Sequence, residues 1–372
     1  MINCLERLIL ATKGVQDLKK DVLDNGLCTA CGACVNLCPY IDLVAGRAVI
    51  IEFCGLKEGK CYAFCPRTYV DVELLDKQIF GLPREDPALG CNRLVLKARA
   101  KDPEIRFHAQ YGGVVSALVS HAIESGSVDV AILAKSRDGV SPEPTIARNR
   151  KEVLESARSK YLVCPTVSKV FEAIKQESGN ICFVGTPCQV TAIRKMQMST
   201  LQPEANRIKL IIGLFCTWAL SPHAYTFIQE KIRGSKVLKV DVPPPPANLF
   251  VIQTEKEKIE IPLEDLRKFI MPSCNVCFDM TNEFADISVG AVEGEEDWNT
   301  VIVRTAKGEK IFREAVNMGI LETSPLEQER FDHLREAALT RKKRVLTQME
   351  NSNVCYLILS EEEKSKITSW KR

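Results

Sequence analysis

The chain has 372 residues, a formal net charge of +2, 45% hydrophobic and 26% charged residues, and 16 cysteines. At roughly 100–200 residues per domain this length predicts two or three domains of ordinary soluble composition. The absence of an apolar run of about 18 residues argues against a spanning helix, and the absence of a sustained basic stripe argues against nucleic-acid binding.

The opening MINCLERLILATKG has no basic segment followed by a long apolar one, so no signal peptide is read. Residues 1–20 read as a short helix and a turn, an arm for a partner. Residues 21–88 are rich in cysteine and turn residues and poor in periodicity, as expected where metal clusters replace a hydrophobic core; with the arm they make a first domain, 1–88. Cys28, Cys31, Cys34, Cys38 and Pro39 spell C-x2-C-x2-C-x3-C-P. That spacing wraps three thiolates around one iron–sulfur cube and sends the fourth to a neighbouring cluster. Cys54, Cys61 and Cys65 form a less regular second half. By the usual crossover Cys28, Cys31, Cys34 and Cys65 hold one 4Fe–4S cluster. Cys38, Cys54 and Cys61 hold another with no obvious fourth ligand; Cys4, Cys91, Glu58 or a three-iron cluster each resolve it, and the spacing does not choose. Cysteines in cluster spacing predict reduced thiolates on metal in a cytoplasmic setting rather than disulfides.

From about residue 89 to 346 strands and helices alternate. Leu94–Ala98 reads as a strand, residues 112–125 as a helix opening on Gly112 and Gly113, and Asp129–Ala134 as a strand. A helix at Lys151–Arg158, a strand at Tyr161–Val163, a helix at Val167–Gln176, a strand at Ile181–Gly185, a helix from Pro187 and a strand at Ile208–Phe215 follow. The repetition predicts an α/β fold with a mostly parallel sheet covered by helices. The prolines of 241–247 predict a stiff extended link. Leu249–Gln253 and Lys258–Ile261 read as a hairpin, Asp286–Val292 and Thr300–Arg304 as strands around an acidic loop, and Gly308–Met318 and Pro325–Leu346 as helices. The basic end of the last helix reads as a solvated terminus favoured by its dipole. The tail, 347–372, carries no readable signal.

Four further cysteines stand where a third cluster needs them. Cys188 follows a predicted strand-to-helix turn, Cys216 ends an apolar strand, and Cys274 and Cys277 form C-x2-C. Ligands of parallel sheets gather at strand carboxyl ends. Zinc competes for such a set, since C-x2-C alone is metal-agnostic. Cys164 and Cys182 read as core residues. Gly112 and Gly113 at a helix start suit a phosphate, and GTPCQ, Gly185 to Gln189, is a second turn that lets backbone approach a ligand. Between one-electron clusters and a two-electron donor a flavin is the usual converter.

Several motifs in one order carry a resemblance: CTACGACVNLCP with GKCYAFCPR, YGGVVSALVSHAIESGSVDVAI, SKYLVCPT, GTPCQVTAIR, GLFC, and CNVCFDMTNEFADISVG with NTVIVRT. Together, from about Leu27 to Leu346, they resemble the coenzyme F420 hydrogenase/dehydrogenase beta-subunit family, in the subgroup with an amino-terminal ferredoxin module. The resemblance implies bound FAD, hydride exchange between FAD and coenzyme F420 as substrate, two or three 4Fe–4S clusters, and a place among other oxidoreductase subunits of a complex. It carries Gly112, Gly113, Val114 and Ser116 over as flavin contacts, then Ser159, Lys160 and Tyr161, then Gly185, Thr186, Pro187 and Gln189, then Thr300 and Arg304. Cys188, Cys216, Cys274 and Cys277 match the family's cluster in this domain. The later loop departs from the family's glycine-rich pattern, with Glu295, Glu296 and Asp297 beside Gly294. A reductase of the same scaffold acting on NADH, ferredoxin or an organic substrate, and a flavin-free electron-transfer module, are the alternatives.

Overall fold

The computed structural model describes residues 13–243, 247–352 and 354–370. The expected arm at 1–20 therefore falls largely outside the described residues, as do Cys4 and Pro244 to Pro246 of the proline link. The ferredoxin-like region opens with the helix Val15–Leu18, continues into one wider turn at Lys19–Leu23, and includes a hairpin of β1 (Ile41–Val44) and β2 (Arg47–Ile50). After β3 (Val70–Asp71) comes the helix Val72–Phe80. Asp71 Oδ1 accepts the Leu74 N–H at 3.0 Å, and Gly81 ends the helix at φ 72°, the pairing of side-chain cap and left-handed glycine expected of helix ends.

The large sheet comprises β4 (Leu94–Ala100), β5 (Val130–Ser136), β6 (Pro142–Ala147), β7 (Ile181–Gly185) and β8 (Ile208–Leu214). A small antiparallel sheet of β9 (Val237–Asp241), β10 (Leu249–Thr254) and β11 (Lys258–Pro262) interrupts it, so the expected hairpin is present and gains a third strand. β12 (Ile287–Val292), β13 (Glu295–Val303) and β14 (Leu321–Ser324) complete the order β14-β4-β13-β12-β8-β7-β5-β6. Its centre, β12-β8-β7-β5, is parallel and both margins are antiparallel. β7 is buried along its whole length, as a parallel strand covered on both faces must be. The expected strand at Tyr161–Val163 is instead held by a single bridge, Leu162 to Leu220.

One face of the sheet packs on the helices Val114–Glu124, Arg150–Glu155 and Ala306–Asn317. The other face carries Ser168–Gln176 and Pro187–Met198, and its core runs without a break into Val15, Leu18, Phe64, Leu75 and Leu89. The ferredoxin-like region thus contributes apolar side chains to a core shared with the sheet, contrary to the expectation that clusters replace one. Gly32, at φ 89°, seats it: a Cβ there would lie 2.7 Å from Pro165 O, and beside it Val167 N–H donates to Cys31 O at 3.0 Å. The described part of the tail packs on the same body. β15 (Leu357–Ile358) pairs with β3, and the helix Glu361–Ser369, capped by Ser360, packs Ile367 into the shared core.

Candidate cofactor cavity and cysteine clusters

A cavity of about 1260 Å³ opens at the carboxyl ends of the parallel strands, larger than the roughly 300–1,000 Å³ of a typical small-ligand site. Its floor is Leu133 and Ala134 of β5, Val184 and Gly185 of β7, Leu214 of β8 and Val289 to Val292 of β12. Asn282 holds two of these ends together, donating through Nδ2 to Gly185 O at 2.8 Å and Leu214 O at 3.2 Å.

Two helices begin at the cavity and differ in what their first N–H groups do. Pro187–Met198 closes its own start: Thr186 and Gln189 form a reciprocal capping box. Gln189 Nε2 also donates to Cys164 O at 2.7 Å, so its polar atoms are fully engaged inside the protein. Val114–Glu124 starts on Gly113 at φ 78° with no side-chain cap, and among the described residues the Val114 N–H alone finds a side-chain acceptor, Asn299 Oδ1 at 3.3 Å. That end keeps free donors and a positive dipole toward the cavity. Gly112 lies behind it; a Cβ there would meet Asn299 N at 2.9 Å and Ala98 O at 3.0 Å.

Val114, Ser116, Ser159, Lys160, Tyr161, Thr186, Pro187 and Thr300 all line the cavity. Lys160 Nζ donates to the carbonyls of Ser156, Ala157 and Arg158, and burial pulls its ammonium down to about 7. Tyr161 and Tyr111 both donate to Asp241 Oδ1, at 3.3 and 2.9 Å, tying β9 to the rim. Arg304 does not join them. Its guanidinium is buried on the far side and donates to Leu89 O, Cys91 O, Thr281 O and Ser288 Oγ; it fastens the segment 89–91, just after the ferredoxin-like region, to the sheet. In the acidic loop, Glu293 and Glu295 reach the cavity wall, and Lys97 donates to Glu295 at 2.9 Å.

The eleven cysteines singled out are all free thiols, and their mutual repulsion sorts them into three sets. Burial first, then Cys31, Cys65 and Cys28, raise the Cys34 thiol. Burial, then Cys38 and Cys54, push Cys61 up to about 11. Burial, then Cys277 and Cys188, push Cys274 up to about 11, and burial with Cys274, Cys188 and Cys277 raises Cys216. The sets also act on one another electrostatically, Cys188 on Cys31 and Cys61 on Cys34. Thr29 hydrogen-bonds toward both Cys31 and Cys188. Among the described residues no three or more His, Cys, Asp and Glu converge as the ligands of one metal ion do. Cys91 belongs to none of the sets, because it feels Asp76, Arg84 and Arg304 instead; Glu58 is exposed, and Cys4 lies outside the described residues.

Backbone and cationic groups surround these sulfurs. Ala48 N–H donates to Cys28 Sγ at 3.3 Å, and a Cβ on Gly59 would sit 3.0 Å from Cys61 Sγ. Lys195, half-buried, donates to Cys65 O and Thr68 Oγ1, each at 2.7 Å. Arg341 donates to Cys277 O at 2.8 Å and Thr217 O at 2.5 Å. Against burial, Arg67 and Arg341 hold the Cys277 thiol below its usual range. The basic end of the last helix is therefore no solvated terminus: Arg341 faces the cysteines, and Lys342 is buried on Glu283 at 2.8 Å. Sequence reasoning missed Arg67, Lys195, Ser273, Asn282 and Asn299; the one available signal was a basic residue directly after Cys65 and Pro66.

Residues 95–170 match the amino-terminal model of the family described as coenzyme F420 hydrogenase/dehydrogenase, beta subunit, and residues 178–329 match the carboxyl-terminal model of the same family. Residues 21–40 match a 4Fe-4S binding domain. The chain is 33% identical over 262 residues to the coenzyme F420 hydrogenase subunit beta of Methanococcus voltae, covering 68% of this chain and 93% of that protein. It is 28% identical over 362 residues to a coenzyme F420-dependent sulfite reductase of Methanocaldococcus jannaschii, covering 89% of this chain and 52% of that one. In fold it is similar to a chain of the F420-reducing [NiFe] hydrogenase complex from Methanosarcina barkeri, with a TM-score of 0.67 and 30% identity over 72% of this chain and 94% of the other.

Proposed function

The chain belongs to the coenzyme F420 hydrogenase/dehydrogenase beta-subunit family, and on that premise we propose that it is an electron-transfer subunit exchanging hydride with coenzyme F420 at a bound FAD and single electrons with a partner oxidoreductase. The observation that carries this reading is the order in which the three cysteine sets act on one another, starting from the one that borders the cavity. Cys188, Cys216, Cys274 and Cys277 border the cavity; Cys31 and Cys65 come next, and Cys38, Cys54 and Cys61 last.

The cavity residues fit a dinucleotide. The uncapped start of Val114–Glu124 offers N–H groups to a pyrophosphate, Ser116 stands one turn in, and the apolar floor suits a flat ring. Bound FAD would supply the conversion between a two-electron donor and one-electron carriers. The chain's own part is to orient the ring beside the substrate, exclude water and hold thiolates. Closely spaced but not converging sulfurs suit four-iron cubes, with irons at separate corners, better than single zinc ions. Exposed Tyr40, Val44, Ile51, Phe53 and Leu56 flank Cys38 and Cys54 in sequence, supporting the last set in that order as the one that meets a partner subunit.

The test is an anaerobic donor panel on purified, flavin-loaded protein. Reduced F420 is expected to bleach the flavin absorbance while NADH and NADPH leave it. A flavin inert to reduced F420 removes the assignment, and bleaching by NADH alone moves it to the nicotinamide carriers.

A further inference from the structure

Buried cations in this protein come in two kinds. Arg84 and Lys342 sit in a carboxylate network: Arg84 pairs with Asp76 at 2.6 Å and Glu283 at 2.7 Å, and Lys342 with Glu283 at 2.8 Å. Arg67 and Arg341 are as deeply buried, each 5% exposed, yet among the described residues neither has a carboxylate partner. A buried charge left unpaired is costly, so its counter-charge must lie in what it faces. Arg67 faces the cavity wall that carries Cys188, Cys216, Cys274 and Cys277.

Its bonds leave it aimed there. Nη2 donates to Ser273 O at 3.2 Å, Nη1 to Pro66 O at 3.4 Å, and the guanidinium lies over the Tyr356 ring at 4.7 Å. Among the described residues Nε has no partner, and neither has the Oγ of Ser273, which is 1% exposed and adjoins Cys274. Two buried donors among the described residues thus lack a partner beside one set of four sulfurs, and the guanidinium already bonds toward the Cys277 sulfur.

We infer that Arg67, although carried by the ferredoxin-like region, is the residue that tunes the cluster of Cys188, Cys216, Cys274 and Cys277, its guanidinium together with the Ser273 hydroxyl raising that cluster's reduction potential. The inference rests on the reading of those four cysteines as a 4Fe–4S site. Net charge and hydrogen bonds to sulfur are among the main determinants of such potentials, and a nearby positive charge favours the more negative, reduced state. Arg67 follows Cys65 by two residues, so one short segment both supplies a ligand to the middle site and sets the charge at the cavity-side site. Seating of the ferredoxin-like region therefore makes the cavity-side cluster a better electron acceptor just when the next site is in place.

The test uses the full iron-loaded chain in an EPR-monitored redox titration, with the signal missing from Cys274→Ala assigned to the cavity-side site. In Arg67→Gln that signal's midpoint is expected to fall while the other cluster signals stay; in Arg67→Lys, which keeps the charge, it is expected to stay near wild type. An unmoved midpoint in Arg67→Gln, or equal falls in both variants, overturns the role. If Arg67→Gln loses iron at that site, retention at the wild-type midpoint in Arg67→Lys upholds the charge requirement, and loss in both overturns it in favour of a purely packing side chain. If wild-type protein has no signal that Cys274→Ala removes, the cluster reading fails and the inference with it.

Discussion

Gln189 Oε1 accepts the Thr186 N–H at 2.9 Å while Gln189 Nε2 donates to Cys164 O at 2.7 Å. One buried amide thus caps the helix that carries Cys188 and bolts its first turn to the segment carrying Lys160 and Tyr161. Replacing it with leucine removes the cap and strands buried polar groups, an expected loss of about 1–3 kcal/mol. Urea unfolding checks the stability. Iron analysis checks the second consequence, loss of about one cluster per chain through misplacement of Cys188.

At Gly113 the left-handed φ of 78° and the open helix start are one feature. A Cβ there would also lie 2.9 Å from Ile105 Cγ2. Gly113→Ala is expected to cost about 1–2 kcal/mol from the backbone conformation alone and to lower the flavin-to-protein ratio. Flavin fluorescence after denaturation measures that ratio, and iron content is expected to hold. Full flavin loading in the variant would place the phosphates elsewhere.

Burial holds Lys160 at about 7 in the folded protein, against about 10.4 unfolded. Between those values the unfolded chain binds a proton that the folded chain does not. This group's contribution to stability therefore rises with pH from about 7 to about 10, by on the order of 1 kcal/mol per unit. Other buried groups, the thiols above all, titrate in the same range, so the useful quantity is the difference between wild type and Lys160→Met. That difference is expected to shift in favour of wild type as pH rises.

Much of the candidate site was legible because it is local. Cluster spacing lies within a few residues, and the helix-opening glycines and the GTPCQ turn announce themselves in sequence. What stayed hidden depends on direction or on distant partners. Thr300 and Arg304 are four residues apart, but Thr300 lines the cavity on β13 while Arg304, just past the strand, turns toward Leu89 and Cys91. β6 was unreadable because Pro142 and Pro144 argue against a strand, yet it is an edge strand, the place where a sheet tolerates proline. The run Tyr161–Val163 is apolar enough for a strand but only Leu162 finds a bridge. Nothing in the tail foretold that Leu357 and Ile358 would find Val70 and Asp71.

Arg84 joins Asp76 of the ferredoxin-like region to Glu283 of the sheet domain, with side chains 4%, 1% and 2% exposed. Removing one member of a buried ion network leaves charges unpaired, a loss of about 3–5 kcal/mol. Arg84→Met is expected to destabilise the chain by that order in urea unfolding, in a single transition, since both regions share one core. Two separate transitions would show that they fold independently.

On the proposed function, electrons taken from a two-electron carrier leave this protein through the cysteine sets. The most direct measurement mixes reduced F420 anaerobically with holo-protein and an excess of a protein-sized one-electron acceptor, and follows oxidised F420 in wild type and Cys274→Ala. Continuous turnover in wild type, against a single flavin-equivalent of oxidation in the variant, is the predicted result. Undiminished turnover in Cys274→Ala, or no oxidation by flavin-loaded wild type, would contradict it.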